Sequence, residues 1–164
     1  MAIKVGDRFL PSGTLNEFIE VETEGCSVGP NTFKVEDMAK GKKIVIFGLP
    51  GAFTPTCSAK HVPSYLNNFE ALKAKGVDEI WCLSVNDAFV MGAWGREQRA
   101  GCKVRMMADG SAEYVKKLGL ENDMIARGMG VRSQRFSMLV DDGVVKSNNV
   151  EDPGKFEAAT AAQC

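Results

Sequence analysis

Residues 43–58 read KIVIFGL and then PGAFTPTCS, an apolar segment that breaks off at Pro50. A short apolar run rich in β-branched residues is typical of a strand that is buried on both faces. Beyond the break, apolar residues recur at helical spacing from 58 to 75, and Gly76 stands where a helix would end. The sequence therefore predicts a buried central strand, a loop ending at Cys57 and a long helix. Pro63 is expected to kink this helix or to force a local repair of its hydrogen bonds.

The rest of the chain alternates between strand and helix patterns. The order strand, helix, strand, helix, strand, helix, hairpin, helix predicts an α/β fold, in which parallel strands come first and an antiparallel hairpin closes one edge. This is the element order of a thioredoxin-like fold, with a central mixed β-sheet flanked by helices and an N-terminal β extension. The predicted strands lie at 15–23 (an edge strand or hairpin arm), 79–85, 104–108, 136–140 and 144–147, and the further helices at 88–101, 112–118 and from 153 onward.

Polar residues mark the predicted ends of these elements. Asp87 and Ser111 precede helical patterns and are expected to be N-caps, since their side-chain oxygens can accept from unpaired helix N–H groups. The triplet Asp141-Asp142-Gly143 separates two apolar segments and predicts a tight hairpin turn.

Length and charge limit the class of protein. The chain has 164 residues, 45% of them hydrophobic and 25% charged, with a net charge of −1. A single domain over 1–164 fits this length, and near-neutral charge argues against capture of nucleic acid, which needs a basic face. No apolar run approaches the roughly 18 residues of a membrane span, and the first residues lack the pattern of a signal peptide. We expect a cytoplasmic protein.

Cysteine and histidine counts narrow the chemistry. An odd count of five cysteines argues against a secreted disulfide framework. The absence of a CxxC pair from the sequence argues against a zinc ribbon or a thioredoxin-type dithiol. The single histidine, His61, excludes HExxH proteases and multi-histidine metal sites. No metal site is predicted.

Cys57 occupies the position of greatest chemical interest. A cysteine at a helix start faces unpaired N–H groups and the positive end of the helix dipole, and both favour the thiolate. The loop also lies beyond the carboxyl end of a strand, where ligands bind in open α/β sheets. Thr54 lies three residues upstream, within reach of a substrate beside the sulfur, while Pro50 and Pro55 stiffen the loop.

A thiolate among donors suits attack on an O–O bond, which converts the sulfur to sulfenic acid. The departing oxygen develops negative charge, so a cation should face it. Arg132 and Arg135 are the candidates, and Arg135 directly precedes the predicted strand at 136–140, so it should project from the sheet end. From the residues alone, a structural cysteine and two solvated arginines remain open alternatives.

The residues around Cys57 resemble those of a known protein family. The pattern Pro50-x-x-x-Thr54-x-x-Cys57 resembles the active-site motif of the peroxiredoxins, thiol peroxidases with a thioredoxin-like fold. The strings FGLPGAFTPTCSAKHVPSY, CLSVNDAFVMGAW and RFSMLVDDGVVK are similar to the type-five subfamily, which includes the plant and bacterial type II enzymes. The resemblance runs from about residue 3 to residue 150 and implies an antioxidant oxidoreductase that reduces hydrogen peroxide and alkyl hydroperoxides.

The resemblance also implies roles for individual residues. Cys57 would be the peroxidatic cysteine, and Arg135 would stabilise its thiolate and bind peroxide oxygen. Thr54 would bind the peroxide and orient the sulfur, while Pro50 would shield the sulfenate from solvent. The backbone amide of Thr56, with that of Cys57, would donate to the substrate.

His61 matches a recurrent histidine of the family and would bind or position the substrate. The resemblance implies no metal or organic cofactor. Electrons would come from glutathione, glutaredoxin or thioredoxin. It further suggests a homodimer that packs through loops near the active site, with Phe53, Phe89 and Trp94 as contacts.

The second cysteine of the reaction cycle is left open. Residues 149–159, where some subfamily members carry a resolving cysteine, contain none. Cys82 and Cys164 are the remaining candidates, but we favour a one-cysteine mechanism in which a thiol reductant captures the sulfenate. Two other readings stay open from the sequence: a general thiol–disulfide oxidoreductase and a non-catalytic, chaperone-like module.

Overall fold

A computed structural model describes residues 10–19, 28–101 and 103–151. The strands are β1 (Thr14–Ile19), β2 (Gly29–Lys34), β3 (Lys43–Gly48), β4 (Glu79–Ser84), β5 (Arg105–Ala108), β6 (Glu121–Met124), β7 (Gly130–Ser133), β8 (Phe136–Asp141) and β9 (Val144–Val150). The helices are α1 (Val35–Ala39), a π-helical turn (Cys57–His61), α2 (Val62–Asn67), α3 (Phe69–Ala74), α4 (Ala88–Glu97), α5 (Glu113–Leu118) and a 3₁₀ turn (Ile125–Arg127).

Within the described residues, seven strands form one mixed sheet in the order β2-β1-β5-β4-β3-β8-β9. β3 is parallel to β4 and β4 to β5, while β8 runs antiparallel to β3. The central position predicted for β3 is therefore confirmed, as is a mixed sheet flanked by helices. β1 pairs with β2 and also with β5, so it is a hairpin arm of the N-terminal extension. The alternative that it is an edge strand is wrong; β2 is the outer strand, and Pro30 lies within it.

Apolar side chains cover both faces of the sheet. Along β3, Ile44 and Ile46 belong to one buried cluster, whereas Val45 and Phe47 belong to the other, as strand alternation requires. Helices α2, α3 and α4 pack on the second cluster and α1 and α5 on the first. Since each fully buried large apolar side chain stabilises the fold by about 1.5–3 kcal/mol, these two layers hold β3 firmly where the chemistry-bearing loop begins.

The helical segment predicted over 58–75 is confirmed, but the chain divides there into the π-helical turn, α2 and α3. Pro63 has no N–H to return to the preceding turn. Instead Val62 donates its N–H to the carbonyl of Cys57, five residues back. A second break falls at Asn68, whose Nδ2 donates to the Ser64 carbonyl at 2.7 Å. Gly76 adopts a positive φ of 90° at the predicted end.

Helix capping is confirmed at one predicted position and wrong at the other. Asp87 caps α4 by accepting from the Val90 N–H at 2.8 Å. The helix ends at Glu97, short of residue 101, because Arg99 turns to a left-handed φ of 56°. Ser111 does not cap α5. Asp109 performs that role by accepting from the N–H groups of Tyr114 and Val115.

The hairpin of β8 and β9 is confirmed. Asp142 and Gly143 both have positive φ, 49° and 79°, which is the geometry of a type I′ turn. A register shift between Leu139 and Val140 makes a bulge against β9. The hairpin of β6 and β7 has no predicted counterpart. The helix predicted from 153 and the full 1–164 domain extent include residues outside the described ones and stay predictions. No helix in the described part is long and apolar enough to cross a membrane.

Candidate active site

Cys57 lies at the start of the helical segment that follows β3. Helical geometry begins at Pro55, and the Ser58 N–H donates to the Thr54 carbonyl at 2.9 Å. The N–H groups of Thr56 and Cys57 thus lie in the first turn of the helix, where donors lack intrahelical acceptors. The Cys57 side chain is fully buried and its thiol is free. The predicted placement at a helix start is confirmed.

A guanidinium reaches the sulfur from a distant part of the chain. Arg135 donates from Nη2 to Cys57 Sγ at 3.2 Å. It arrives there because Phe136, the next residue, pairs with Gly48 at the end of β3. Gly48 has no side chain to obstruct this pairing, and a Cβ there would lie 2.0 Å from the Phe136 ring. Strand register therefore brings residues 57 and 135 together.

His61 contacts the other terminal nitrogen of the same guanidinium. Its Nδ1 is 2.8 Å from Arg135 Nη1. A guanidinium only donates, so Nδ1 accepts, and the imidazole must be neutral with its proton on Nε2. The ring is fully buried against Phe47 and Tyr65, with centroid distances of 4.9 and 5.8 Å. The structure thus places His61 where it holds Arg135, and its predicted contact with substrate stays a prediction.

Side-chain hydrogen bonds hold the backbone of the loop that precedes the helix. Thr54 donates from Oγ1 to the Gly51 carbonyl at 2.8 Å. Phe53 adopts a left-handed φ of 63°, a strained conformation for a side chain with a Cβ. Ala52 donates its N–H to Asn86 Oδ1 at 2.9 Å. Pro50 is half-buried at the start of this loop.

The two candidate cations have different partners. Arg132 donates from Nε to the Met129 carbonyl at 2.7 Å and from Nη1 to the Pro50 carbonyl at 3.5 Å. Its guanidinium approaches so closely that a Cβ on Gly51 would lie 2.9 Å from Nη1. Arg132 therefore binds the loop backbone, while Arg135 is the cation that binds the sulfur.

Cys82 lies in the middle of β4, opposite Phe47 of β3 and Met106 of β5. Its thiol is free and fully buried. Burial is the main cause that raises the pKa of the Cys82 thiol well above its ordinary value, and the neighbouring Cys57 adds to the shift. The predicted structural position of this cysteine is confirmed. Cys164 lies outside the described residues, so a resolving role for either cysteine stays a prediction.

Sequence reasoning missed two contacts of the site. Asn86, which accepts from the Ala52 N–H, is the second residue beyond β4. It therefore lies at the same carboxyl edge of the sheet as the loop, and this position in the sequence could have marked it as a candidate site residue. Trp94 donates from Nε1 to Ser58 Oγ at 3.0 Å. Trp94 is fully buried, so its predicted role as an intersubunit contact is wrong. Its ring is instead part of the apolar cluster beneath the helix start.

Comparison with known proteins agrees with this geometry. A family model for redoxins matches residues 4–163. Peroxiredoxin-2B of Arabidopsis thaliana is 50% identical over 159 residues, which are 97% of this chain and 94% of that protein. The crystal structure of reduced Prx3 from Vibrio vulnificus in complex with H2O2 is 46% identical, with a TM-score of 0.89 over 98% of this chain and 96% of that one. A Burkholderia cenocepacia protein, named provisionally as a thioredoxin reductase, is 60% identical with a TM-score of 0.97, covering 99% and 96%.

The fold and the site together define the class of this protein, which is a thioredoxin-like oxidoreductase that works through a thiol. Within that class the chain belongs to the peroxiredoxins, and its curated relatives include plant type II members. It is therefore a thiol-dependent peroxidase, an antioxidant enzyme that takes a hydroperoxide as substrate and a thiol as reductant. The predicted family, fold class and enzyme class are confirmed.

Proposed function

We propose that Cys57 is the peroxidatic nucleophile of this enzyme and that it reduces hydrogen peroxide and alkyl hydroperoxides. The observation that carries the proposal is the contact of Arg135 Nη2 with Cys57 Sγ at 3.2 Å. A charge-assisted hydrogen bond of this kind favours the thiolate over the thiol. The same cation then faces the oxygen that becomes negative as the O–O bond breaks.

The first step leaves one peroxide oxygen on the sulfur. The thiolate attacks that oxygen, an S–O bond forms, and the O–O bond breaks. The sulfur is oxidised by two electrons to sulfenic acid, and the other oxygen takes a proton and leaves as water or an alcohol. The N–H groups of Thr56 and Cys57, at the helix start, donate to the oxygens during this transfer.

Neighbouring residues set the geometry of the attack. Since the Thr54 hydroxyl gives its proton to the Gly51 carbonyl, its lone pairs are left to accept a hydrogen bond from the peroxide. Pro50 begins the loop and adds no N–H donor to it. His61 binds Arg135 through Nη1, the terminal nitrogen that does not contact the sulfur, and so holds the guanidinium in place.

We further propose a one-cysteine cycle. A reductant thiol attacks the sulfenic acid of Cys57, forming a mixed disulfide and water. A second reductant thiol then attacks the reductant sulfur of the mixed disulfide, so that the two reductant sulfurs leave as a disulfide and Cys57 returns to the thiol. The position of Cys82 supports this cycle, because β3 and β5 hold its strand on both sides. The reductant is glutathione with glutaredoxin, or thioredoxin. We also propose a cytoplasmic role in cell redox homeostasis, because an odd count of five cysteines does not suit a secreted disulfide framework.

The enzyme is also proposed to act as a homodimer. Phe53 and Phe89 are 51% and 64% exposed, and Phe53 is in the loop that leads to Cys57. Phe53 packs on Trp94 at a centroid distance of 6.3 Å and Phe89 on Phe18 at 5.9 Å. A second copy that covers these two rings would bury apolar surface at little conformational cost. Sedimentation of the wild type beside F89D tests this, since a dimer through this surface should dissociate in the variant and a monomeric wild type would contradict it.

Intact-mass measurement tests the nucleophile and the cycle together. After one equivalent of hydrogen peroxide, the reduced enzyme should gain one oxygen, which peptide mapping should locate on Cys57. Glutathione added next should convert this adduct to one glutathionyl group on the same residue. The variant C57S should gain neither. Oxygen on another cysteine would contradict the nucleophile, whereas a disulfide formed before any reductant is added would contradict only the one-cysteine cycle.

A further inference from the structure

A single peptide unit of the loop is bound on both of its polar sides. The carbonyl of Gly51 accepts from Thr54 Oγ1 at 2.8 Å, and the N–H of Ala52 donates to Asn86 Oδ1 at 2.9 Å. These two groups belong to the same planar amide, so they rotate together. The direction of the Thr54 hydroxyl is therefore linked to the contact that Asn86 makes on the opposite side.

Asn86 is itself anchored to the sheet. Its Oδ1 accepts a second hydrogen bond, from Ser84 Oγ at 2.6 Å, and Ser84 is a fully buried residue at the end of β4. The next residue, Asp87, caps α4. The acceptor that Asn86 offers to the loop is thus fixed by a central strand on one side and by a helix start on the other.

The loop needs this contact because its own backbone is permissive. Gly51 lacks a Cβ, so its own backbone allows more orientations of the Gly51–Ala52 peptide than any other residue would. Phe53 already has a left-handed φ of 63°, which a relaxed loop would tend to leave. Rotation of the peptide would carry the Gly51 carbonyl away from Thr54, and the hydroxyl would then take another orientation.

We propose that Asn86 is a positioning residue for peroxide reduction. Through the Gly51–Ala52 peptide it fixes the proton of the Thr54 hydroxyl on the Gly51 carbonyl, so that the hydroxyl oxygen accepts from the peroxide. The proposal rests on the function assigned above to Thr54 and Cys57. It differs from a general stabilising role because it predicts coupling between residues 86 and 54.

A double-mutant cycle measures that coupling. The second-order rate constant for oxidation of reduced Cys57 by hydrogen peroxide is determined for wild type, N86A, T54V and the double variant. Loss of one hydrogen bond in N86A should slow the reaction by about tenfold. T54V should slow it at least as much, and the double variant should be no slower than T54V alone. Independent, multiplicative losses would overturn the proposal.

Alkylation of Cys57 by iodoacetamide provides a readout that needs no peroxide. Its rate in N86A should stay within about twofold of wild type, since the sulfur and Arg135 keep their contact. An equal loss of alkylation and of peroxide reaction would show that N86A disturbs the sulfur itself, and would contradict the proposal.

Two further variants keep the test decisive. N86D retains an acceptor oxygen for Ala52 and should recover most of the peroxide rate, even if N86A folds poorly; failure of N86D to exceed N86A would count against the proposal. N68A removes a comparable half-buried amide from the break between α2 and α3, and should react at the wild-type rate. Failure of wild-type Cys57 to be oxidised would instead refute the proposed function, whereas an unimpaired T54V would refute the role of Thr54, and with it this proposal, while leaving Cys57 as the nucleophile.

Discussion

The environments of Cys57 and Cys82 differ although the two cysteines are equally buried. Both are fully shielded from solvent, both are free, and both belong to the same apolar cluster. Cys57 meets a guanidinium at a helix start, whereas Cys82 lies in a strand whose backbone groups are paired with β3 and β5. Burial raises the pKa of the Cys82 thiol. The direction of nearby donors, and not solvent exposure, distinguishes the two sulfurs.

Two arginines extend the same contrast. Arg105, on the strand beside Cys82, binds both oxygens of Glu17 at 3.0 and 2.6 Å and also binds Glu79, which Lys42 contacts at 2.7 Å. Those carboxylates neutralise the guanidinium and tie β1, β4 and β5 together. Arg135 directs its guanidinium at a sulfur and an imidazole. Arg105 therefore stabilises the sheet, whereas Arg135 contacts the sulfur that is proposed to react.

The largest effect is expected from exchanging the two sulfurs for oxygen. C57S should lose peroxide turnover by on the order of 1,000-fold or more, because a serine hydroxyl is not ionised near neutral pH. C82S, with a matched substitution in the same cluster, should retain most turnover. Steady-state peroxidase assays with glutathione plus glutaredoxin, and separately with thioredoxin, measure both. Similar losses of turnover in the two variants would contradict the proposed difference between Cys57 and Cys82.

Removal of the guanidinium should have the next largest effect. R135A is expected to slow oxidation of Cys57 by about 100-fold, the range found when one preorganised donor is lost. It should also move the pH midpoint for iodoacetamide alkylation of Cys57 upward, because the thiolate loses its cation. R132A is the matched control and should leave the midpoint in place, since its guanidinium binds carbonyl oxygens. Equal midpoints in wild type and R135A would rule out this role.

Cys57 and Cys82 of the native enzyme should differ in their rates of alkylation at neutral pH. Cys57 should react at least about tenfold faster than Cys82, since burial keeps Cys82 as the neutral thiol. Peptide mapping after limited treatment with iodoacetamide gives the two rates in one sample. In denaturant the two should converge. Fast labelling of Cys82 in the folded enzyme would show that its strand opens readily.

The smallest effect is expected in the ion-pair network beside Cys82. Although burial opposes ionisation, hydrogen bonds from Lys42 and Arg105 lower the pKa of Glu79 below its usual 4.5. E79Q should reduce the free energy of unfolding by about 1 kcal/mol while peroxide reduction is unchanged. Because the folded-state pKa is depressed, this difference should be full above pH 4.5 and should shrink as pH falls through the lowered value. Urea unfolding at several pH values measures it.

Much of this architecture could be predicted because it follows from local pattern. The apolar run of β3, the loop with Cys57 and the position of Arg135 before β8 all follow from periodicity and chain order. The contact between Arg135 and the sulfur depends on the pairing of Gly48 with Phe136. Sequence can suggest that pairing but cannot measure it.

Features that depend on competition between donors could not be predicted. Asp109 rather than Ser111 caps α5, because its carboxylate can reach two N–H groups from outside the helix. The sequence left open whether Pro63 would kink the helix or be repaired locally, and the wider turn at Cys57–His61 is the local repair. Asn86 was overlooked because an amide beyond a strand has no periodicity, and only the folded loop shows which N–H it binds.

The outer strands of the sheet bear on how copies of the enzyme meet in concentrated solution. In the described part of the chain, β2 offers an incomplete row of donors because of Pro30, and the bulge at Leu139 and Val140 distorts the pairing of β9. Lys34 and Lys146 place exposed charge on these same strands. Neither outer strand is a good template for pairing with a strand of another chain, so growth of fibrils by strand addition is disfavoured. The loops stay available for specific association.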